Sequence, residues 1–258
     1  MSADSQADSR RHSVAEDAPL ITEGETRARV EARNGLRQFD LGIQVIEDAV
    51  AKGSFRLRPS LILTLHRAAL EGLNAHAGNF RPASVAIQGS EHSPLGAHLV
   101  PSAIEDMCDY VNDAWSTRTG IHLAAYVMWK LNWIHPFNDG NGRTSRITSY
   151  IVLCTKIGRV LPGNLSIPDQ IVDNRKPYFD ALEEADQFWK RSEINLSAME
   201  NLLESLLAAQ LLSVLQEARQ KLSGVKITLR PFVQSREGCP RSASIPCDSR
   251  HRHGARRR

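Results

Sequence analysis

Residues 135–146 read His135-Pro136-Phe137-Asn138-Asp139-Gly140-Asn141-Gly142-Arg143-Thr144-Ser145-Arg146. The run before them, Ile121 to Trp133, is apolar nearly all round, as a central helix buried by its neighbours would be. The run after them, Gly142 to Ile157, restarts as a helix directly from a glycine-rich turn. Pro136 turns the chain between the two. Gly140 and Gly142 at a helix N-terminus allow close approach of backbone to a ligand, and the N–H groups and positive dipole end there form an anion hole. Arg143 and Arg146 are spaced i and i+3, so both can reach phosphates of one ligand. Asp139 supplies a carboxylate where a divalent metal bridging phosphate oxygens would want one. Asn141 adds an amide donor, and His135 can take a proton from an attacking hydroxyl. Singly, each residue has an ordinary reading: a structural histidine, an N-cap aspartate, two arginines on a solvated face. Together they supply a base, a metal ligand, an anion hole and two cations at one place.

The stretch resembles the signature of the Fic family, H-x-F-x-[D/E]-G-N-G-R-x-x-R, and matches it at every specified position. The resemblance extends over about residues 26–196. It implies an all-α, Fic-type helical bundle with a short β-hairpin flap. It also implies a protein adenylyltransferase that moves AMP from ATP to a Ser, Thr or Tyr hydroxyl of a target protein, with Mg²⁺ as cofactor and pyrophosphate leaving. Carried over by position, His135 would be the general base and Asp139 the Mg²⁺ ligand. Gly140, Asn141 and Gly142 would line the anion hole, Arg143 and Arg146 would bind the β- and γ-phosphates, and Phe137 would anchor the core. Tyr178 and Asp186 fall at the family's adenine-side positions, where Asn is commoner than Asp at the second. Val85, Ala86, Ile87, Gln88 and Gly89 lie where the family places a flap that binds the target by strand addition. An inhibitory motif, [S/T]-x-x-x-E-[G/N], has no perfect copy. Glu31 is followed by Ala32 and has Arg27 in the Ser/Thr position, whereas Ser213 to Glu217 fits up to Ala218. Self-inhibition through Glu31 or Glu217 and inhibition by an antitoxin partner both stay open, as does a homo-oligomer. So do the other reactions of this site: removal of AMP, UMP transfer or phosphorylation.

Outward from the motif the pattern is helical. Leu36, Phe39, Ile43, Ile46 and Val50 recur at spacings of three and four, predicting a helix from Thr26 to near Gly53 with these residues as its apolar stripe. Pro59 opens a second helix carrying Leu61, Leu65 and Leu73. Between Gly78 and Pro101, Phe80-Arg81, Val85-Ala86-Ile87 and His98-Leu99-Val100 read as short extended pieces separated by turn residues, which predicts a hairpin. Helices follow over Ser102–Ser116 (Ile104, Met107, Cys108 and Val111 on one face), 168–190 and Ser197–Leu222. The domain plan is an unstructured acidic N-terminus at 1–25, a helical segment at 26–58, the core at 59–196, a closing helix at 197–223 and a basic tail at 224–258.

Composition excludes several classes. The chain has 258 residues, 41% hydrophobic and 24% charged, so it is not a wholly disordered protein. No apolar h-region marks a signal peptide, and no window is expected to hold the roughly 20 apolar residues of a membrane span. Cys108, Cys154, Cys239 and Cys247 form no C-x-x-C pair, pointing to a reducing, cytoplasmic setting. Residues 1–25 hold six acids and two arginines, net −4, and residues 224–258 hold nine Lys/Arg and two acids, net +7. With a total of +3, the middle is neutral, so nucleic acid is disfavoured as the main partner. Cys239, Cys247, His251 and His253 in the tail match no common zinc-finger spacing.

Overall fold

A computed structural model describes residues 12–14 and 20–224. The basic tail from 225 to 258, with Cys239, Cys247, His251 and His253, lies outside the described residues. The elements run β1 (His12–Val14), α1 (Gly24–Lys52), α2 (Pro59–Leu70), β2 (Ala86–Gln88), a 3-10 turn (Ala97–Leu99), α3 (Val100–Asp113), α4 (Gly120–Ile134), α5 (Asn141–Ile157), α6 (Ile167–Asp173), α7 (Lys176–Trp189) and α8 (Ser197–Gly224). The expected all-α architecture is found: the described residues are 67% helical with almost no strand.

The central helix is α4, as its composition requires. Leu123 to Asn132 and Ile134 are all buried, with α5, α3, α7 and α8 packed around it. Thr119 caps its start by accepting from the His122 N–H at 3.1 Å. His122 then ties α4 to its neighbours, its Nδ1 2.7 Å from Glu200 of α8 and its Nε2 2.9 Å from the Tyr110 hydroxyl of α3. Lys130 sits between Trp133 and Trp189, its Nζ 3.9 and 4.0 Å from the ring centres. On α3, Ile104, Met107, Cys108 and Val111 are buried as the pattern predicts.

Several expectations are corrected. The α1 stripe is only part of the buried face: Ile46 is buried and Phe39 and Ile43 pack on the core, but Leu36 is 69% exposed, and Asn34, Gln38, Gly42 and Ala49 are buried beside them. The reason is close approach of α1 to α2 and α5. A Cβ on Gly42 would meet Ile147 Cδ1 at 2.8 Å. The two buried amides are satisfied by carbonyls of α2 and its end, Asn34 donating to Glu71 O at 2.8 Å and Gln38 to Leu65 O at 3.1 Å. Residues 168–190 form two helices, not one, because Pro177 in the first turn of α7 cannot continue an upstream helix. Leu73 lies beyond the end of α2, and His98-Leu99-Val100 is a 3-10 turn running into α3 rather than an extended piece.

A further correction concerns the flap. Ala86–Gln88 is a strand, but its partner is not a second strand from 78–100. It pairs antiparallel with His12–Val14, in the register His12 to Gln88, Ser13 to Ile87 and Val14 to Ala86. Residues 12–14 and the first residues of α1 are therefore structured within the stretch expected to be featureless; 1–11 and 15–19 lie outside the described residues. Against the composition reading, α8 over Ser197–Lys221 is long and apolar enough to cross a membrane, with mean hydropathy 1.2. Met199 and Leu203 of its first half are buried against α4 and α7, and Leu211, Leu212 and Leu215 of its second half are exposed.

Candidate active site

The α4–α5 corner is held in shape by side chains on every side. His135 is the C-cap of α4 with φ +52 and ψ +59, a left-handed conformation that a non-glycine residue adopts only under constraint. Its Nδ1 lies 3.2 Å from Asn132 O, so Nδ1 carries the proton in the neutral ring and the lone pair sits on Nε2. Its own carbonyl accepts from Arg81 Nε at 2.8 Å, and the Arg81 N–H donates to Pro136 O at 2.8 Å. Asn141 closes the loop by accepting from the Phe137 N–H at 3.0 Å and donating to Phe137 O at 2.8 Å. Its side-chain amide thus shapes the turn, where the sequence reading had it as a donor to the ligand. Phe137 is fully buried, as expected of an anchor.

Gly140 has φ +79 as N-cap of α5, and a Cβ there would stand 2.5 Å from Leu70 Cδ2. Conformation and space both demand glycine. The first helical bond of α5 runs from Thr144 N–H to Gly140 O, so the N–H groups of Gly142 and Arg143 are not consumed inside the helix. Asp139 Oδ1 accepts from the Gly140 N–H at 2.5 Å and Oδ2 from Arg143 at 3.0 Å.

These residues line one cavity of about 670 Å³, within the usual range for small-molecule sites. Its walls include His135, Asp139, Gly140, Asn141, Gly142, Arg143, Arg146, Tyr178 and, from α1, Arg27 and Glu31. Four arginines, Arg27, Arg143, Arg146 and Arg175, face two carboxylates, Glu31 and Asp139, so the cavity favours an anion. Burial lowers the Arg146 pKa, and the Tyr178 hydroxyl accepts a hydrogen bond from it. That hydroxyl also lies 2.8 Å from Asn132 Nδ2 and 3.4 Å from Ser145 Oγ.

Residues 56–153 match the family model described as Fic/DOC. The chain carries a Fic/DOC-family domain. It is 27% identical over 156 residues to protein adenylyltransferase fic-1 of Caenorhabditis briggsae, covering 55% of this chain and 30% of that protein. It is 30% identical over 149 residues to protein adenylyltransferase Fic of Drosophila willistoni, covering 53% and 29%. The chain thus spans under a third of the length of these relatives. Among solved structures, Fic-1 (residues 134–508, E274G) from C. elegans superposes with a TM-score of 0.60 at 20% identity, over 78% of this chain and 55% of that one. A Fic-domain signaling protein from Bacteroides thetaiotaomicron gives 0.57 at 21%, over 72% and 73%. Both share its fold.

The fold gathers most of the predicted residues and separates others. Glu31 lines the cavity, yet its carboxylate is held by Arg27 Nε at 3.0 Å. Glu217, on the second half of α8, is not among the lining residues. Asp186 is also absent from the lining: it is buried and accepts from Trp129 Nε1 at 2.9 Å, fixing α7 to α4. Val85 to Gly89 likewise stand outside the cavity wall, on the loop beside it.

Three supports escaped the sequence reading. His66 of α2 stacks on Phe137 with ring centres 3.7 Å apart and planes within 5°. Its Nδ1 accepts from the Gly78 N–H at 3.0 Å, so its Nε2–H donates to Asp139 O at 3.0 Å. Burial pushes its pKa down to about 4, so the ring is neutral. Arg81 and Asn132 are the other two, both buried and both bonded to the corner. A buried Arg close to the flap was the one available hint; nothing in the spacing joins His66 to a loop 73 residues away.

Proposed function

We propose that this Fic domain is a protein adenylyltransferase that uses ATP. The observation that carries the reading is the single cavity in which a histidine with its lone pair on Nε2 faces an arginine-lined helix N-terminus. ATP would place its phosphates over the start of α5, against Arg143 and Arg146 and the Gly142 and Arg143 N–H groups. His135 takes the proton of a target Ser, Thr or Tyr hydroxyl as its oxygen bonds to the α-phosphorus. The bond from that phosphorus to the β-phosphate bridging oxygen breaks, and pyrophosphate leaves. The chain's part in this is positioning and charge stabilisation.

A magnesium ion fits beside Asp139, whose half-exposed carboxylate lies at the cavity rim. One carboxylate with substrate phosphates and water is a donor set Mg²⁺ accepts. When bound, the ion would neutralise charge on the phosphate oxygens. Tyr178 would close the cavity from α7. Glu31 in the wall supports inhibition from within the chain over an antitoxin, because a carboxylate there competes with phosphate for Arg146.

The test is incubation of the full chain and of His135→Ala with Mg²⁺ and ATP labelled at the α-phosphate in a cell lysate. Protein bands labelled only with intact His135 are expected. Label from the γ-phosphate alone would overturn the reading in favour of phosphoryl transfer.

A further inference from the structure

The loop that carries β2 is tied at both ends to the segment bearing His135. At one end Arg81 donates to His135 O, to Ala83 O at 2.9 Å and to Leu95 O. At the other, His92 Nε2 lies 2.7 Å from Trp133 O. Burial lowers the Arg81 pKa, yet its three carbonyl partners hold the charged fork in place. The loop is therefore a fixed ledge beside the catalytic corner, and β2 is the part of it with strand geometry. Along β2 the residues alternate: Ala86 and Gln88 are exposed and Ile87 is buried.

A short strand on such a ledge is a template for one extended segment. Here that segment comes from the chain itself. β1 lies antiparallel on β2 in full three-residue register, with Ser13 opposite the buried Ile87. Only nine residues separate Val14 from Gly24, and the first turns of α1 supply Arg27, Ala28, Glu31 and Ala32 to the cavity wall. β1 and the cavity-lining start of α1 are thus neighbours in sequence.

We propose that His12-Ser13-Val14 is a built-in occupant of the edge at which a target's extended segment would pair, so that the chain competes with its own targets. This rests on the adenylyltransferase reading for what docks there, though not for the pairing itself. A target that pairs with this edge of β2 must first displace β1.

The experiment compares the full chain with a Ser13→Pro/Val14→Pro variant of it, since proline removes the N–H groups that a ladder needs. The first readout is amide exchange at Ala86, Ile87 and Gln88, with circular dichroism to confirm that the helices are intact. Exchange should be faster in the variant by about tenfold or more. The second is binding of a fluorescent synthetic peptide of residues 9–17, expected for the variant and not for the unaltered chain. The third is labelling of lysate proteins from α-labelled ATP, expected to rise about fivefold or more in the variant as an edge becomes available. Equal exchange in the two proteins, or a peptide that binds neither, would overturn the proposal. So would faster exchange with unchanged labelling. If neither protein labels any target while exchange and peptide binding behave as expected, the pairing stands and the adenylyltransferase reading fails.

Discussion

His66 carries no chemistry of its own, yet two backbone groups of the active-site corner depend on its protonation state. The neutral ring accepts from Gly78 at Nδ1 and donates to Asp139 O from Nε2, and a protonated ring could not do the first. Its pKa is lowered from 6.5 to about 4, chiefly by burial, with Arg143 acting the same way and Asp139 opposing. The folded state therefore resists the proton that the unfolded chain accepts. His66 contributes its full stability above about pH 6.5 and loses it as pH falls toward 4, a total of about 3 kcal/mol. Urea unfolding from pH 7 to 4.5 should show the stability gap between the unaltered chain and His66→Gln narrowing as pH falls. A gap constant across that range would refute the assignment. The two motif glycines differ at this scale too. Gly140→Ala adds a left-handed alanine and a clash with Leu70, and should cost roughly 2 kcal/mol or more of stability. Gly142 has no positive φ, and a Cβ there meets only Arg146 Nη1 at 3.1 Å. Gly142→Ala should keep its melting temperature within a few degrees and lose nucleotide affinity, as isothermal calorimetry would report.

At the scale of elements, α1 shows what patterning could and could not convey. Its extent, ending at a left-handed Gly53, follows from periodicity and C-cap chemistry. Its buried face follows only in part: Ile46 is inside as the spacing predicts, but polar Asn34 and Gln38 are inside for the sake of α2 carbonyls that no local pattern announces. The corner was legible for the opposite reason: its glycines, carboxylate and arginines act within twelve residues of one another. The β1–β2 pairing joins segments some 70 residues apart through backbone groups, which leave no mark on side-chain pattern. The same helix also makes a prediction about regulation. Glu31 is bonded to Arg27, one turn earlier, in the position where Ser or Thr was the expected residue. A part-exposed i,i+4 pair is worth only about a few tenths of a kcal/mol, so Glu31 can leave it for Arg146 at little cost. Glu31→Gly should raise ATP affinity and target labelling. Arg27→Ala, by releasing the carboxylate toward the cavity, should lower both. Identical shifts in the two variants would show that the pair itself, and not the carboxylate, matters.

For the whole molecule, the position of the cavity decides how ligand binding is felt. Its wall is drawn from α1, α4, α5, α6 and α7 and the α4–α5 turn, so a bound nucleotide would touch five helices at once. Unfolding any one of them removes part of the site, and binding must therefore stabilise the global native state. At a free concentration one hundred times Kd the gain is about 2.7 kcal/mol, a rise in Tm of roughly 5–10 °C for a domain of this size. Calorimetric scans of the full chain with ATP should show this rise, larger with Mg²⁺ than with a chelator. Asp139→Ala should retain a rise from the arginines and the helix N-terminus and lose the difference that Mg²⁺ makes. A magnesium-dependent increment of the same size in that variant would place the ion on other ligands. A nucleotide that left Tm unmoved in the unaltered chain at saturation would instead remove the anion site from the start of α5, because five helices cannot share a ligand without sharing its binding energy.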